Sequence, residues 1–190
     1  MIRSRLRAQR ASLSSKLVHD HSIEAMRWLV DRLDSGNLSC VAGYLANDGE
    51  IDLSEAFGWL ALNNVDVVVP YLRSGEMRFS LFRRGQRLEV GKWGIQVPEP
   101  IEDVDLKFID LFLVPVVAFS SSGDRLGRGG GYYDRTLCQE TNSLIVGVAH
   151  EFQLDEGIIA KTTDIPLAAV VTERGWRLFD NRVKCILGDA

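Results

Sequence analysis

Five short runs in this chain are apolar at nearly every position: SCVAGYLA (39–46), VDVVVP (65–70), DLFLVPVVAF (110–119), SLIVGVAH (143–150) and PLAAVVT (166–172). A strand with one wet face alternates polar and apolar residues. A strand without polar relief must be covered on both faces, which is the condition of a parallel sheet between helical layers. Helical spacing fills the gaps between the runs. Residues 2–11 and 15–33 carry it, the second through Leu17, Val18, Ile23, Met26, Leu29, Val30 and Leu33, with Ser14 or Ser15 as the cap. Further helices are expected over 53–62, 130–140 and 153–160. The expected fold is α/β, a three-layer α-β-α arrangement around a largely parallel, mixed central sheet. MRFSLF (77–82) alternates as a half-exposed strand, Pro70 is expected to end the second run, and GKWGIQVPEP (91–100) reads as a loop. With 190 residues, no repeat and no linker, one domain over 1–190 is the simplest organisation.

Charge excludes some functions. A net charge of −4 and a pI near 5.4 argue against a general nucleic-acid or membrane-surface binder, so any positive site must be local. The N-terminus, MIRSRLRAQRASLSSK, has arginines but no apolar core of a secretory signal, and no run is long enough to span a bilayer. Cys40, Cys138 and Cys185 are odd in number and widely spaced, which suits a reducing cytoplasm and side chains that are buried or half-buried. Three histidines, His19, His21 and His150, argue against a histidine-built zinc site.

Residues 123–135, GDRLGRGGGYYDR, hold five glycines and three arginines. Three consecutive glycines weaken any regular element, so another interaction must offset them. A triphosphate would: it needs backbone N–H groups at close range and fixed positive charge. Gly127, Gly129, Gly130 and Gly131 leave room for it, and Arg125 and Arg128 supply charge. The stretch is not G-x-x-x-x-G-K-[ST], nor G-x-G-x-x-G, since Tyr132 stands at the third glycine. Asp134 would repel a phosphate unless a divalent cation lay between them, and oxygen ligands with phosphate suit Mg²⁺. In open α/β sheets ligands bind beyond the carboxyl ends of strands. That puts Glu50 after the first run, Arg73 and Met77 after the second, and the glycine stretch after DLFLVPVVAF.

RLGRGGGYYDR, preceded by DLFLVPVVAF, resembles the signature of the 5-formyltetrahydrofolate cyclo-ligase (methenyltetrahydrofolate synthetase) family. RSRLR (3–7), YLANDGEID (44–52), VVPYLRSGEMRF (68–79), WGIQVPEP (93–100) and TTDIPLAAVVTE (162–173) follow the family's order. The resemblance implies an ATP- and Mg²⁺-dependent ring closure of 5-formyltetrahydrofolate to 5,10-methenyltetrahydrofolate, releasing ADP and phosphate. It further implies that Arg3, Ser4, Arg5, Leu6 and Arg7 contact ATP, with Arg7 also near the folate. Arg125, Leu126, Gly127, Arg128, Gly129, Gly130, Gly131, Tyr132 and Tyr133 would wrap the nucleotide. Leu45, Glu50, Met77 and Trp93 would line the folate pocket together with Arg128 to Tyr132. Arg128 and Tyr132 are the expected catalytic pair, and Asp134 and Asp164 the metal ligands. Small molecules rather than nucleic acid or membrane are the implied partners, and a cytoplasmic monomer the implied setting.

The residues suit this chemistry: Glu50 can accept pterin N–H bonds, and Tyr132, Trp93 and Met77 offer flat or soft surface. The alternative for Met77 and Trp93 is that they merely fill core. Arg3 stands where the family often has Lys, and Ser120 where it commonly has Asp. Two other functions fit the same residues, a non-catalytic folate or nucleotide binder and an ATP-dependent relative acting on another formamide or amine.

Overall fold

The computed structural model describes residues 1–91, 96–99, 102–138 and 143–186. Helix α1 (Ile2–Ala11) leads into α2 (Ser15–Arg32), whose cap is Ser14, its hydroxyl accepting from the Leu17 N–H. Strand β1 (Cys40–Ala42), α3 (Ser54–Leu62), β2 (Asp66–Arg73) and β3 (Glu76–Leu81) follow. Ser74 and Gly75, both at positive φ, form the tight two-residue turn that joins β2 to β3. Then come β4 (Leu88–Val90), β5 (Gln96–Pro98), β6 (Asp103–Val104), β7 (Leu111–Pro115), β8 (Ala118–Phe119) and β9 (Arg125–Leu126). Helix α4 (Tyr132–Leu137), β10 (Leu144–Val148), β11 (Ala169–Thr172) and β12 (Gly175–Leu178) complete the order.

Eight strands form one sheet in the order β12-β11-β10-β7-β1-β2-β3-β6. The five central strands, β11 to β2, are the five apolar runs, and every pair among them is parallel. Antiparallel β12, β3 and β6 close the two sides. The alternation of each strand then splits the core in two. Leu111, Leu113, Val146, Val148, Val67 and Val69 face one way, under α2 and α3. Phe112, Val114, Val68, Phe79 and Val170 face the other way, under the much shorter α4. The α/β three-layer expectation holds, with one helical layer thick and the other thin.

Four local expectations change. Pro70 does not end β2, which runs on to Arg73. Val68 C=O accepts from the Gly43 N–H on the β1 side, whereas Val67 C=O accepts from Phe82 on the β3 side. Position 70 therefore faces β1, whose pairing has ended at Ala42 opposite Val68, so its missing N–H breaks no ladder bond. The helix expected over 153–160 is absent. Only Glu151–Gln153 turns as a 3-10 helix, after which Asp155 N–H bonds to Phe119 C=O and Gly157 N–H to Asp155 Oδ1. Those donors are taken by a sheet contact and a turn. Within 91–100, Gln96–Pro98 pairs with Leu88–Val90 as a strand rather than a loop. Cys138 and Cys185 are exposed; each thiol caps the end of a helical turn, on Arg135 C=O and Arg182 C=O. Cys40 is buried, and its thiol is pushed up to about 12 by burial and by Asp66 and Asp110. Among the described residues no helix is long and apolar enough to cross a membrane.

Candidate functional site

The sheet's connections reverse direction between β1 and β7: β1 passes through α3 to β2 on one side, while β7 passes through α4 to β10 on the other. The main cleft, about 1560 Å³, opens there, beyond the carboxyl ends of these strands. Its walls come from the segment after β1, the end of β2, the β4–β5 hairpin and the glycine stretch.

After β1 the chain makes a turn, Asn47–Glu50, closed by Glu50 N–H on Asn47 C=O. Asp48 (φ 57°) and Gly49 (φ 70°) take the left-handed backbone such a turn requires. Asp48 is not glycine, so that backbone is costly and must be held from outside. Arg10 holds it. Its guanidinium is buried (2% exposed), donates from Nε to Asp48 C=O at 2.8 Å and from Nη2 to Asp48 Oδ2 at 3.2 Å. It also lies 3.5 Å from Glu50 Oε1 and donates to Val116 C=O beyond β7 at 3.4 Å. Glu50 is buried (7% exposed); Oε2 accepts from the Asn47 N–H, and Oε1 takes Arg128 Nη2 at 2.9 Å. Arg7 reaches Asp48 Oδ2 at 3.3 Å from the rim.

The glycine stretch arches over this turn. Gly129 (φ 101°) and Gly131 (φ 63°) adopt backbone that favours glycine. Gly127 does not, and a Cβ there would meet only Arg125 Nη1, at 4.0 Å. The fold gives no reason for glycine at 127; its bareness leaves space in the cleft. Arg3 Nε donates to Gly127 C=O at 2.8 Å, tying α1 to the stretch. Arg125 is buried and turned inward, donating to Ile165 C=O at 3.1 Å and to Asp134 Oδ1 at 2.5 Å. It therefore positions Asp134, while Arg128 is the arginine of the stretch that stays part-exposed over Glu50. Ile165 N–H also donates to Asp134 Oδ1, at 3.3 Å, and Asp164, whose Oδ2 accepts from the Lys161 N–H, lines the same cleft. Burial, and then the charge of Glu50, push the Tyr133 hydroxyl well above its usual range, so it stays a neutral hydrogen-bonding group.

Most of the residues expected from sequence meet in this cleft: Arg3, Arg7, Leu45, Glu50, Met77, Arg125, Leu126, Gly127 to Tyr133, Asp134 and Asp164 line it. Met77 does so while also packing against Phe79 and Phe112, so core and wall are one role. Three do not line it. Leu6 is fully buried against Val117 and Ala118, Arg5 pairs with Asp155, and Ser4 donates to Met1 C=O. Trp93 lies outside the described residues. Sequence reasoning missed Arg10, which holds the Asp48 turn, and the cleft-lining Asp48, Tyr71 and Lys161. Arg3, Arg7 and Arg10 follow helical spacing on one face of α1, a signal that could have found Arg10.

Residues 1–173 match the 5-formyltetrahydrofolate cyclo-ligase family. The chain belongs to that family. It is 30% identical over 173 residues to the 5-formyltetrahydrofolate cyclo-ligase of Haemophilus influenzae, covering 87% of this chain and 92% of that one. It is 37% identical over 139 residues to the Escherichia coli K12 enzyme of the same name, covering 70% and 76%. In structure it resembles the 5,10-methenyltetrahydrofolate synthetase of Aquifex aeolicus, with TM-score 0.81 and 30% identity over 100% of this chain and 93% of that one. The chain is thus a cyclo-ligase, a ligase enzyme, built on that family's fold.

Proposed function

We propose that this cyclo-ligase family member converts 5-formyltetrahydrofolate to 5,10-methenyltetrahydrofolate, consuming ATP and releasing ADP and phosphate. One observation carries the reading: Arg128, in the glycine stretch suited to phosphates, touches Glu50, the buried carboxylate suited to a pterin, at 2.9 Å. Ligands held by these two groups would meet. A formamide oxygen leaves poorly until it is phosphorylated. In the reaction the formyl oxygen attacks the γ-phosphorus in line, and the bond to ADP breaks. N10 then attacks the formyl carbon, loses its proton, and phosphate departs carrying the formyl oxygen. Arg128 and the bare backbone from Gly127 to Gly131 steady the phosphoryl group, and Tyr132 covers the reacting face. Leu45 and Met77 shape the pterin wall, with Trp93 a further contact proposed from the sequence resemblance. Arg3 and Arg7, at the cleft's rim, extend the positive surface for the phosphate chain.

Hard carboxylate oxygens beside a phosphate site fit Mg²⁺, and Asp134 and Asp164 are the residues that would hold it. When bound, the ion supplies charge neutralisation on the phosphates. Changing Asp134 to Asn keeps an acceptor oxygen for Arg125 and Ile165 but removes the charge opposite buried Arg125, so the melting temperature should fall while the metal also loses a charged ligand. We expect the variant to need about tenfold more divalent ion, in turnover and in Mn²⁺ binding followed by electron paramagnetic resonance. Unchanged Mn²⁺ binding would make Asp134 only the partner of Arg125. Two accessible thiols fit a reducing, cytoplasmic setting.

The oxygen's route tests the reaction. Substrate carrying heavy oxygen in the formyl group should deliver the label to inorganic phosphate, read by mass spectrometry. Label in water, with ATP hydrolysed separately, would exclude phosphoryl activation. Binding of both ligands without methenyl absorbance would mark a non-catalytic relative.

A further inference from the structure

We propose that His21, His150 and Glu173 form a binding site for a divalent transition metal of the zinc class, distinct from the substrate cleft. The three residues come from three elements: the middle of α2, the segment after β10, and the turn between β11 and β12. One ligand atom from each lies within 4.8 Å of the others. The sequence, with three histidines in all, argued against this; the fold brings two of them together.

The tautomers carry the argument. His150 is fully buried, and its Nε2 is 2.8 Å from Gly49 C=O, a group that can only accept. Nε2 therefore bears the hydrogen, and Nδ1 is left with a lone pair. That lone pair points at the Nδ1 of His21, 2.9 Å away, so one hydrogen lies between the two nitrogens. Two nitrogens bound to a tetrahedral zinc stand about 3.3 Å apart, close to this spacing. Ligation needs the His21 hydrogen to move to its Nε2 and the Glu173 carboxylate, 3.8 Å from His21 Nδ1, to close in. A ring whose far N–H is pinned to a backbone carbonyl is also how metal-binding histidines are oriented.

Glu173 supplies the third atom and the charge. Its Oε2 is fixed by the Glu151 N–H at 2.9 Å, and its Oε1 lies 3.8 Å from His21 Nδ1. Two imidazoles and a carboxylate suit a borderline-soft cation better than Mg²⁺. Of the other charged groups nearby, Glu151 is engaged by Arg177 and Thr172, and Arg10 by Asp48 and Glu50. His21 and Glu173 keep 21% and 15% of their side chains exposed, which gives the ion a way in and a water a fourth position. Bound there, a metal would clamp α2 to the sheet and, through His150 and Gly49, the turn that holds Glu50.

The test uses the full chain, stripped with chelator and kept in excess Mg²⁺ to occupy oxygen-ligand sites. Titrated Co²⁺ should develop the visible d–d band of a four- or five-coordinate nitrogen site, and Zn²⁺ should displace it stoichiometrically and raise the melting temperature. His21→Ala, a half-exposed change to a good helix former, should weaken Co²⁺ binding at least about 100-fold. His19→Ala, exposed on the same helix, should leave it unchanged. Absence of the band in the unaltered protein, or equal affinity in the His21→Ala protein, overturns the site.

Discussion

Replacing Arg128 with alanine should lower kcat/KM by about 10²- to 10³-fold, the range seen when a preorganised donor to a reacting oxyanion is lost. The effect should fall on both substrates. Arg128 bridges the glycine stretch and Glu50, so its loss removes a phosphate contact and leaves Glu50 with the more distant Arg10 as its charged neighbour. The KM for ATP should rise through the missing charge-assisted bond. The KM for the folate should rise because Glu50 has lost the closer of its two arginines. Arg128 is part-exposed and sits outside the core, so the melting temperature should move little. Steady-state kinetics with each substrate varied in turn, beside a thermal melt, make the check. A change confined to the ATP KM would mean that Arg128 and Glu50 act on their ligands independently. Unchanged kinetics would remove Arg128 from the site.

The sheet was legible because the physics that writes it is local. A strand buried on both faces has no polar position, and five runs in β1, β2, β7, β10 and β11 say so directly. Pro70 misled because its cost depends on whether a neighbouring strand needs its N–H, and β1 stops just short of it. The candidate cleft was legible where one segment carries much of its lining, as in Gly127 to Asp134. It was not where the function of a residue lies in its partner. Arg125 and Arg128 sit three apart in one motif, yet one is turned inward to Asp134 and the other faces Glu50. Arg10 is separated from Asp48 by 38 positions, and only folding makes it the residue that secures the turn. The His21–His150 pair spans 129 positions and gave no signal at all.

Arg10 should prove the residue whose loss costs the fold most. Arg10→Met keeps the apolar stem but takes from Asp48 and Glu50 their buried cation, leaving them only the part-exposed Arg7 and Arg128. Breaking a buried ion pair by removing one partner costs about 3–5 kcal/mol, because the remaining charge stays buried. For a chain of this size that corresponds to a fall in melting temperature of roughly 6–20 °C. Part of the loss should return when Asp48 is changed to Asn in the same protein. Asn removes one stranded charge and tolerates the left-handed backbone at that position. Urea unfolding of the two variants and the parent reads both steps. Activity adds a second reading: even in conditions where Arg10→Met stays folded, the turn bearing Glu50 loses its clamp, so the folate KM should rise more than the ATP KM. A stability loss below about 1 kcal/mol would mean that water reaches Asp48 and Glu50 once Arg10 is gone. The turn would then hold itself, and the burial of Arg10 would serve only to pack α1 against the sheet.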